Sequence, residues 1–244
     1  MEEKKKRVSV ALASYNGMDY LKEQTESILK NLTAEDELVI SDDGSNDGTL
    51  EFLRKLAEKD ERVRVVEGPG KGIKKNFENA LVHCLGEYIF LADQDDVWTE
   101  NKVDTVLMAF REKGCSLVMH DAVVVNEDHT EEIMPSFFAY RGSKAGACAN
   151  IIKNTYMGCC MAFRREIIKW ILPIPEEIQM HDQWIGVIND IKGTGTCILP
   201  EKLLSYRRHE RNNSDFSHNT VPVMLKNRLI FLRALFRQMY QLKA

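Results

Sequence analysis

Three times in the first hundred residues, an apolar run stops at a cluster of polar and acidic side chains. Val8–Ser14 runs into Ser14–Gly17, Glu37–Ser41 into Asp42–Asp47, and Tyr88–Ala92 into Asp93–Asp96. Helical patterns separate these runs. Tyr20–Leu32 carries apolar residues at Leu21, Ile28, Leu29 and Leu32, and Thr49–Lys59 places Phe52, Leu53 and Leu56 on one side. That spacing fits amphipathic helices with one inward face. Val63–Val66 adds a strand, Lys74–Leu85 and Lys102–Glu112 add helices, and Leu117–Val125 reads as a fifth strand. Strands alternating with helices predict an α/β fold with a mostly parallel central sheet flanked by helices. Such sheets bind ligands beyond the carboxyl ends of their strands, where the three polar clusters fall.

The second half is less regular. Asn126–Thr130 reads as a turn, Arg141–Ala149 as a mobile loop near the site, and Thr155–Phe163 as an extended segment. A helix over Arg165–Leu172 stops before Pro173, Asp182–Ile191 forms another, and Thr196–Leu199 and Leu203–Tyr206 form two short strands. After Asp215 there are no acidic residues, while Lys226, Arg228, Arg233, Arg237 and Lys243 remain. Leu225, Leu229, Leu232, Phe236 and Met239 recur there at helical spacing. Residues 1–215 are thus expected to form one domain and 216–244 a basic amphipathic helical extension. That helix either docks on its own domain or meets an anionic membrane surface or partner.

A formal net charge of −4 argues against a generic polyanion binder, so no nucleic-acid partner is expected. None of the six cysteines forms a C-x-x-C pair, which points to reduced, mostly buried thiols rather than a zinc site or disulfide framework. The apolar stretch after the charged Met1–Arg7 is too short for a signal peptide, and no run of about 18 apolar residues exists. The expected location is cytoplasmic, with peripheral contact at the inner face of the cell membrane if the last helix binds lipid.

The clusters carry the chemistry. Asp93, Asp95 and Asp96 crowd three carboxylates into four residues. Two such charges at about 4 Å repel by about 4 kcal/mol at an effective dielectric of 20. A hard divalent cation bridging to a diphosphate relieves that penalty; an acidic turn capping the next helix is the plainer reading. Asp42-Asp43-Gly44-Ser45 offers carboxylates to a nucleobase or ribose, with a helix cap by Asn46 or Asp47 as the plain alternative. In Ser14-Tyr15-Asn16-Gly17, Tyr15 can stack on a base while the polar groups bind its edge or a phosphate. Asp182, between His181 and Gln183 at a helix start, is a candidate general base or else a helix cap. His209 can ligate a metal when neutral, and Arg207 and Arg208 can neutralise a diphosphate, unless the stretch is only a basic surface run.

Taken in order, the segments ASYNG (Ala13–Gly17), SDDGSNDGT (Ser41–Thr49), KNFENAL (Lys75–Leu81), GEYIFLADQDD (Gly86–Asp96), MGCCMAFRREI (Met157–Ile167) and MHDQW (Met180–Trp184) resemble the inverting glycosyltransferases of family 2. The resemblance spans roughly residues 7–214. It implies the GT-A fold, a Rossmann-like arrangement for nucleotide-diphospho-sugar transferases, and hexosyltransferase activity. It further implies that Asp43 binds the donor base with Ala13 and Tyr15 beside it. Asn16, Asn76 and Arg207 join the donor site, and Asp93-Gln94-Asp95 is the D-x-D element. Asp95 would hold Mn²⁺ or Mg²⁺, and Asp93 would approach the ribose, or the metal through water. Asp182 would be the catalytic base and His209 the late metal- or diphosphate-binding histidine. The implied partners are a UDP- or dTDP-sugar donor and a saccharide or lipid-linked saccharide acceptor. HDQW and YRRHERNNS (Tyr206–Ser214) are similar to rhamnosyltransferase-like branches of bacterial surface polysaccharide synthesis. The family often has Glu-Asp where this chain has His181-Asp182, so no glutamate role carries over to position 181.

Two other functions fit the same pattern. A sugar-phosphate nucleotidyltransferase would share the sheet, but it commonly carries a basic Gly-rich loop where this chain reads ASYNG. A non-catalytic nucleotide-sugar binding module would be expected to lack one of Asp43, Asp93, Asp95 and Asp182, all of which are present.

Overall fold

The alternating runs form the predicted layers. The computed structural model describes residues 6–210, 212 and 220–242. In chain order come β1 (Lys6–Ser14), α1 (Met18–Asn31), β2 (Glu37–Asp42), α2 (Thr49–Lys59), β3 (Val63–Glu67), α3 (Ile73–His83), β4 (Gly86–Ala92), β5 (Val97–Trp98), α4 (Lys102–Lys113) and β6 (Leu117–Val125). Then follow β7 (Glu132–Met134), α5 (Phe137–Arg141), α6 (Ala147–Ile152), β8 (Met161–Arg164), α7 (Ile168–Ile171), α8 (His181–Lys192), β9 (Thr196–Arg207) and α9 (Val221–Gln241).

Among these residues the strands form one sheet in the order β3-β2-β1-β4-β8-β6-β9-β5, with β7 paired to β6. The pairings β1–β2, β1–β4, β2–β3 and β6–β9 are parallel. Because β8 is antiparallel to both β4 and β6, those two strands point the same way. Six strands therefore share one direction, and only the short β5, β7 and β8 oppose it. Every residue of β2 is buried, as expected for a strand covered on both faces. Helix α3 packs over β1 and β2, and α4 over β6. At the other end of the sheet Ser9 and Glu37 are tied into the backbone. Ser9 donates to Glu37 at 2.5 Å and accepts from the backbone N–H of Gly86 at 2.7 Å.

Register brings the polar clusters to one edge. Ser14 sits opposite Asp42 and Leu12 opposite Ala92, so β1, β2 and β4 end side by side. Strand β9 ends at the same edge and delivers His209 there.

The second half differs from the sequence expectation in three places. The two short strands are one, β9, because Pro200 and Glu201 are absorbed in a bulge. Leu199 faces His120 while Lys202 already faces Asp121. The loop Arg141–Ala149 is shortened by α5 and α6. Ser136 caps α5 by accepting from Ala139 N–H at 3.0 Å. The Asn150 amide holds the Lys144 carbonyl at 2.8 Å and so ties down what remains. The segment Thr155–Phe163 is extended only in part, since Gly158–Cys160 makes a 3₁₀ turn before β8.

The last helix forms, but it docks by a face other than the expected stripe. Phe231, Ala234, Leu235 and Gln238 are buried, whereas Leu225, Leu229 and Phe236 are exposed. The expected boundary at 215/216, and Lys243, lie outside the described residues. Cys84, Cys115, Cys159 and Cys160 are buried, Cys148 is exposed, and all six cysteines are free thiols. Among the described residues no helix is long and apolar enough to cross a membrane.

Candidate active site

A cleft of about 960 Å³ opens at the carboxyl ends of the strands. Ala13, Tyr15, Asn16, Asp43, Asn76, Asp93, Asp95, Asp182 and His209 all line it. Their order in space follows the topology. The ends of β1, β2 and β4, the first turn of α8 and the chain after β9 all contribute to its lining.

The wall of β1 and β2 is held by its own polar groups. Asn16 takes φ 47°, a left-handed conformation that asparagine tolerates, and its side-chain carbonyl accepts from Asn46 N–H at 2.9 Å. Asp43 accepts from the N–H groups of Gly70 and Gly72, both at 2.7 Å, and so fixes the Gly-rich loop as a rim. Asn76 is buried and donates to the Ser14 carbonyl at 3.0 Å, while its own carbonyl oxygen has no partner among the described residues. Gly68 makes room for that oxygen, since a Cβ there would lie 2.7 Å from it. Tyr15 is half exposed over the cleft, its backbone clasped by Gln94 at 2.9 and 3.1 Å. Of the sequence alternatives here, Asp47 does bond Thr49 N–H at 3.0 Å at the start of α2.

The acidic cluster divides. Asp93 and Asp95 face the cleft. Asp96 is fully buried behind them, with one oxygen on Arg207 N–H at 3.2 Å and the other without a partner among the described residues. None of the three caps α4, whose cap is Asn101. Burial first, then the charges of Asp95 and Asp182, push the Asp93 carboxyl up to about 7. Burial likewise raises Asp96 well above the usual carboxylate range.

His209 reaches Asp95 at 2.8 Å, stacks on Tyr20 with ring centroids 4.6 Å apart, and is flanked by Asn212 at 3.3 Å. A carboxylate oxygen beside an imidazole nitrogen is a donor pair suited to Mn²⁺, and less to Mg²⁺, which prefers oxygen. Ligand atoms of Asp93, Asp96 and Cys159 also lie within 4.8 Å of one another. That set fits a cation poorly, because burial holds the Cys159 thiol well above its ordinary value and so protonated. Asp95 with His209 is the better fit.

Asp182 lies in the first turn of α8, whose N-cap is Met180, so it is not the cap residue. Burial pushes its carboxyl up to about 6 against the pull of Gln183 N–H at 2.5 Å and the Asn154 amide at 3.3 Å. The adjacent His181 stacks on Phe77 at 4.1 Å, with neither ring nitrogen partnered among the described residues. Burial and then Lys74 hold its pKa at about 3, so the ring is neutral.

Arg207 is the predicted site residue that the structure keeps out of the cleft. Its guanidinium is occupied by the Asp95 carbonyl at 2.8 Å, Glu23 at 2.5 Å and the Glu127 carbonyl. It braces the strand that carries His209. Conversely, Tyr20, Arg141, Asn154 and Asn212 also line the cleft. Arg141 begins the loop expected near the site and Asn212 lies in the Tyr206–Ser214 segment, whereas Tyr20 and Asn154 are lone polar residues whose position depends on tertiary folding.

Comparison with known proteins identifies the family and the fold. The sequence model of the family described as Glycosyl transferase family 2 matches residues 9–172. TuaG of Bacillus subtilis (strain 168), named for teichuronic acid biosynthesis, is 30% identical over 205 residues, covering 82% of this chain and 78% of its own. WfgD of Escherichia coli, a UDP-Glc:α-D-GlcNAc-diphosphoundecaprenol β-1,3-glucosyltransferase, is 25% identical over 155 residues, covering 62% of this chain and 57% of its own. The crystal structure of S. aureus TarS 1–349 with UDP-GlcNAc superposes with a TM-score of 0.73 at 20% identity, covering 92% of this chain and 65% of that one. The chain thus spans less than two thirds of WfgD and of the TarS fragment. The shared architecture is the GT-A fold, and the chain belongs to glycosyltransferase family 2.

Proposed function

We propose that the chain transfers a hexose from a UDP- or dTDP-sugar to an acceptor hydroxyl with inversion, in the assembly of a cell-surface polysaccharide. The observation that carries this reading is that a half-buried carboxylate, Asp182, lines one cleft with Asp93 and Asp95, near enough for its charge to act on Asp93. In this reading Asp43, Tyr15, Asn16, Ala13 and Asn76 hold the nucleotide. Asp182 takes the proton from the acceptor hydroxyl, whose oxygen attacks the anomeric carbon. The bond to the diphosphate oxygen breaks on the opposite face, and the nucleoside diphosphate leaves. One displacement inverts the anomeric centre, through an oxocarbenium-like transition state. A divalent cation held by Asp95 and His209 would supply positive charge against the leaving diphosphate. Residues 1–215 are the transferring unit in this account. WfgD's named acceptor and TuaG's named pathway support a saccharide, including a lipid-linked one, as acceptor.

The test is a panel of nucleotide sugars and saccharide acceptors with Mn²⁺ or Mg²⁺, with product configuration read by NMR. The expected product has the anomeric configuration opposite to that of the donor, formed only with cation present. Retained configuration, or pyrophosphate release from a nucleoside triphosphate, contradicts the proposal.

A further inference from the structure

Helix α9 has two apolar faces, and the described residues of the domain cover only one. On the docked side Phe231 meets Trp184 edge-on with ring centroids 5.9 Å apart, and Gln238 donates to the Trp170 carbonyl at 2.9 Å. Arg228 holds the Ile152 carbonyl at 2.9 Å, and Arg237 pairs with Glu177 at 2.6 Å. On the other side, residues spaced by three and four form a stripe. Within it Leu225 is 53% exposed, Leu229 59%, Phe236 74% and Tyr240 78%. Side chains of this size rarely line up in water without a partner. Exposed Lys226 and Arg233 flank the stripe, and Val221–Gln241 contains no acidic residue.

We infer that this stripe lies in the interface of an anionic lipid bilayer, with α9 parallel to the membrane plane. Its docked face fixes the helix along the domain surface, so it can present a side to lipid but cannot thread through it. The tip residue, Tyr240, is amphipathic and suits the headgroup level. A second copy of the chain is the poorer occupant. Self-pairing of the helix sets the same surface against itself, so Lys226 and Arg233 would meet a helix that carries no acidic residue. Phosphate headgroups complement those flanks instead.

The surface also connects to the cleft. Ile152, itself 63% exposed, is gripped by Arg228, and Asn154 two residues on donates to Asp182. Two residues of chain span at most about 7 Å. A membrane-bound acceptor would thus arrive on the side of the cleft that holds Asp182; this consequence rests on the transferase reading above.

The experiment is co-sedimentation of the full chain with vesicles of phosphatidylcholine, with and without phosphatidylglycerol, at low and high salt. Partitioning should be at least roughly tenfold stronger with the anionic lipid and should weaken as salt screens it. Leu225→Glu, Leu229→Glu and Phe236→Glu together should reduce it by roughly a hundredfold. The same variant should keep the wild-type melting temperature and its shift with donor. Lys226→Glu with Arg233→Glu should abolish the preference for anionic lipid. No partitioning by the wild type, or equal partitioning by the triple variant, overturns the proposal. So does a wild-type dimer in solution that the triple variant dissociates. Vesicle binding without any donor-induced shift would uphold the surface and remove the transferase reading.

Discussion

The chemistry proposed for the cleft depends on the protonation of one side chain. Burial disfavours the Asp182 carboxylate, while the Gln183 N–H, the Asn154 amide and the Arg141 charge favour it. The helix N-terminus adds to the favourable side. The balance at about 6 leaves Asp182 ionised near neutrality and still basic enough to accept a proton. As a base it is active only when deprotonated. kcat/KM should therefore rise along an acid limb near pH 6 and level off above it. Removing a donor to the ionised form raises the pKa, so Asn154→Ala should move that limb to higher pH. A rate independent of pH from 5 to 8 would remove Asp182 from the role. Asp182 could be read from the sequence because an acid sat among HDQW, but Asn154 could not, because a loop far along the chain brings it there. Arg207 misled for the opposite reason. Its residue type fits a diphosphate, but two carbonyls and Glu23 already use its donors.

At the scale of elements, α8 packs closely against a residue of the cleft lining, Tyr156. Gly186 lies under the Tyr156 ring, where a Cβ would fall 2.3 Å from Cδ2. The ring runs along the helix to place its hydroxyl on Asp190, one turn on, at 2.5 Å. Alanine at an exposed helical site gains about 1 kcal/mol over glycine. Here the buried overlap costs about 1–3 kcal/mol and outweighs it. Gly186→Ala should lower Tm by a few degrees, as read by calorimetry, and weaken turnover, because Tyr156 lines the cleft. A raised Tm would contradict the packing described. The first six elements were legible to within two residues at each end because periodicity and turn residues agreed there. Strand β9 was not, since a proline reads as a stop and only pairing with β6 carries the strand through its bulge. The docked side of α9 was hidden too, because a helix with two apolar faces has no single phase to read.

At the scale of the molecule, parallel register gathers Asp43, Asp93 and Asp95, and the first turn of α8 adds Asp182, around the space proposed for an anionic donor. The chain's net charge of −4 gives no long-range attraction to offset them. A diphosphate at about 4 Å from one such carboxylate meets repulsion of about 4 kcal/mol at an effective dielectric of 20. Donor binding should therefore require a cation, and the cation should require Asp95. The same cleft should separate binding from chemistry, since in the proposed mechanism Asp182 acts on the acceptor alone. The direct measurement is donor-induced thermal stabilisation, with and without Mn²⁺, alongside turnover, for the wild type, Asp95→Ala and Asp182→Asn. A ligand bound only by the folded chain raises Tm. The account predicts stabilisation of the wild type only with donor and Mn²⁺ together, and loss of that stabilisation in Asp95→Ala. In Asp182→Asn it predicts full stabilisation with turnover reduced by roughly 10²–10⁴-fold. Equal stabilisation without cation, or turnover by Asp182→Asn within a few-fold of wild type, would contradict it.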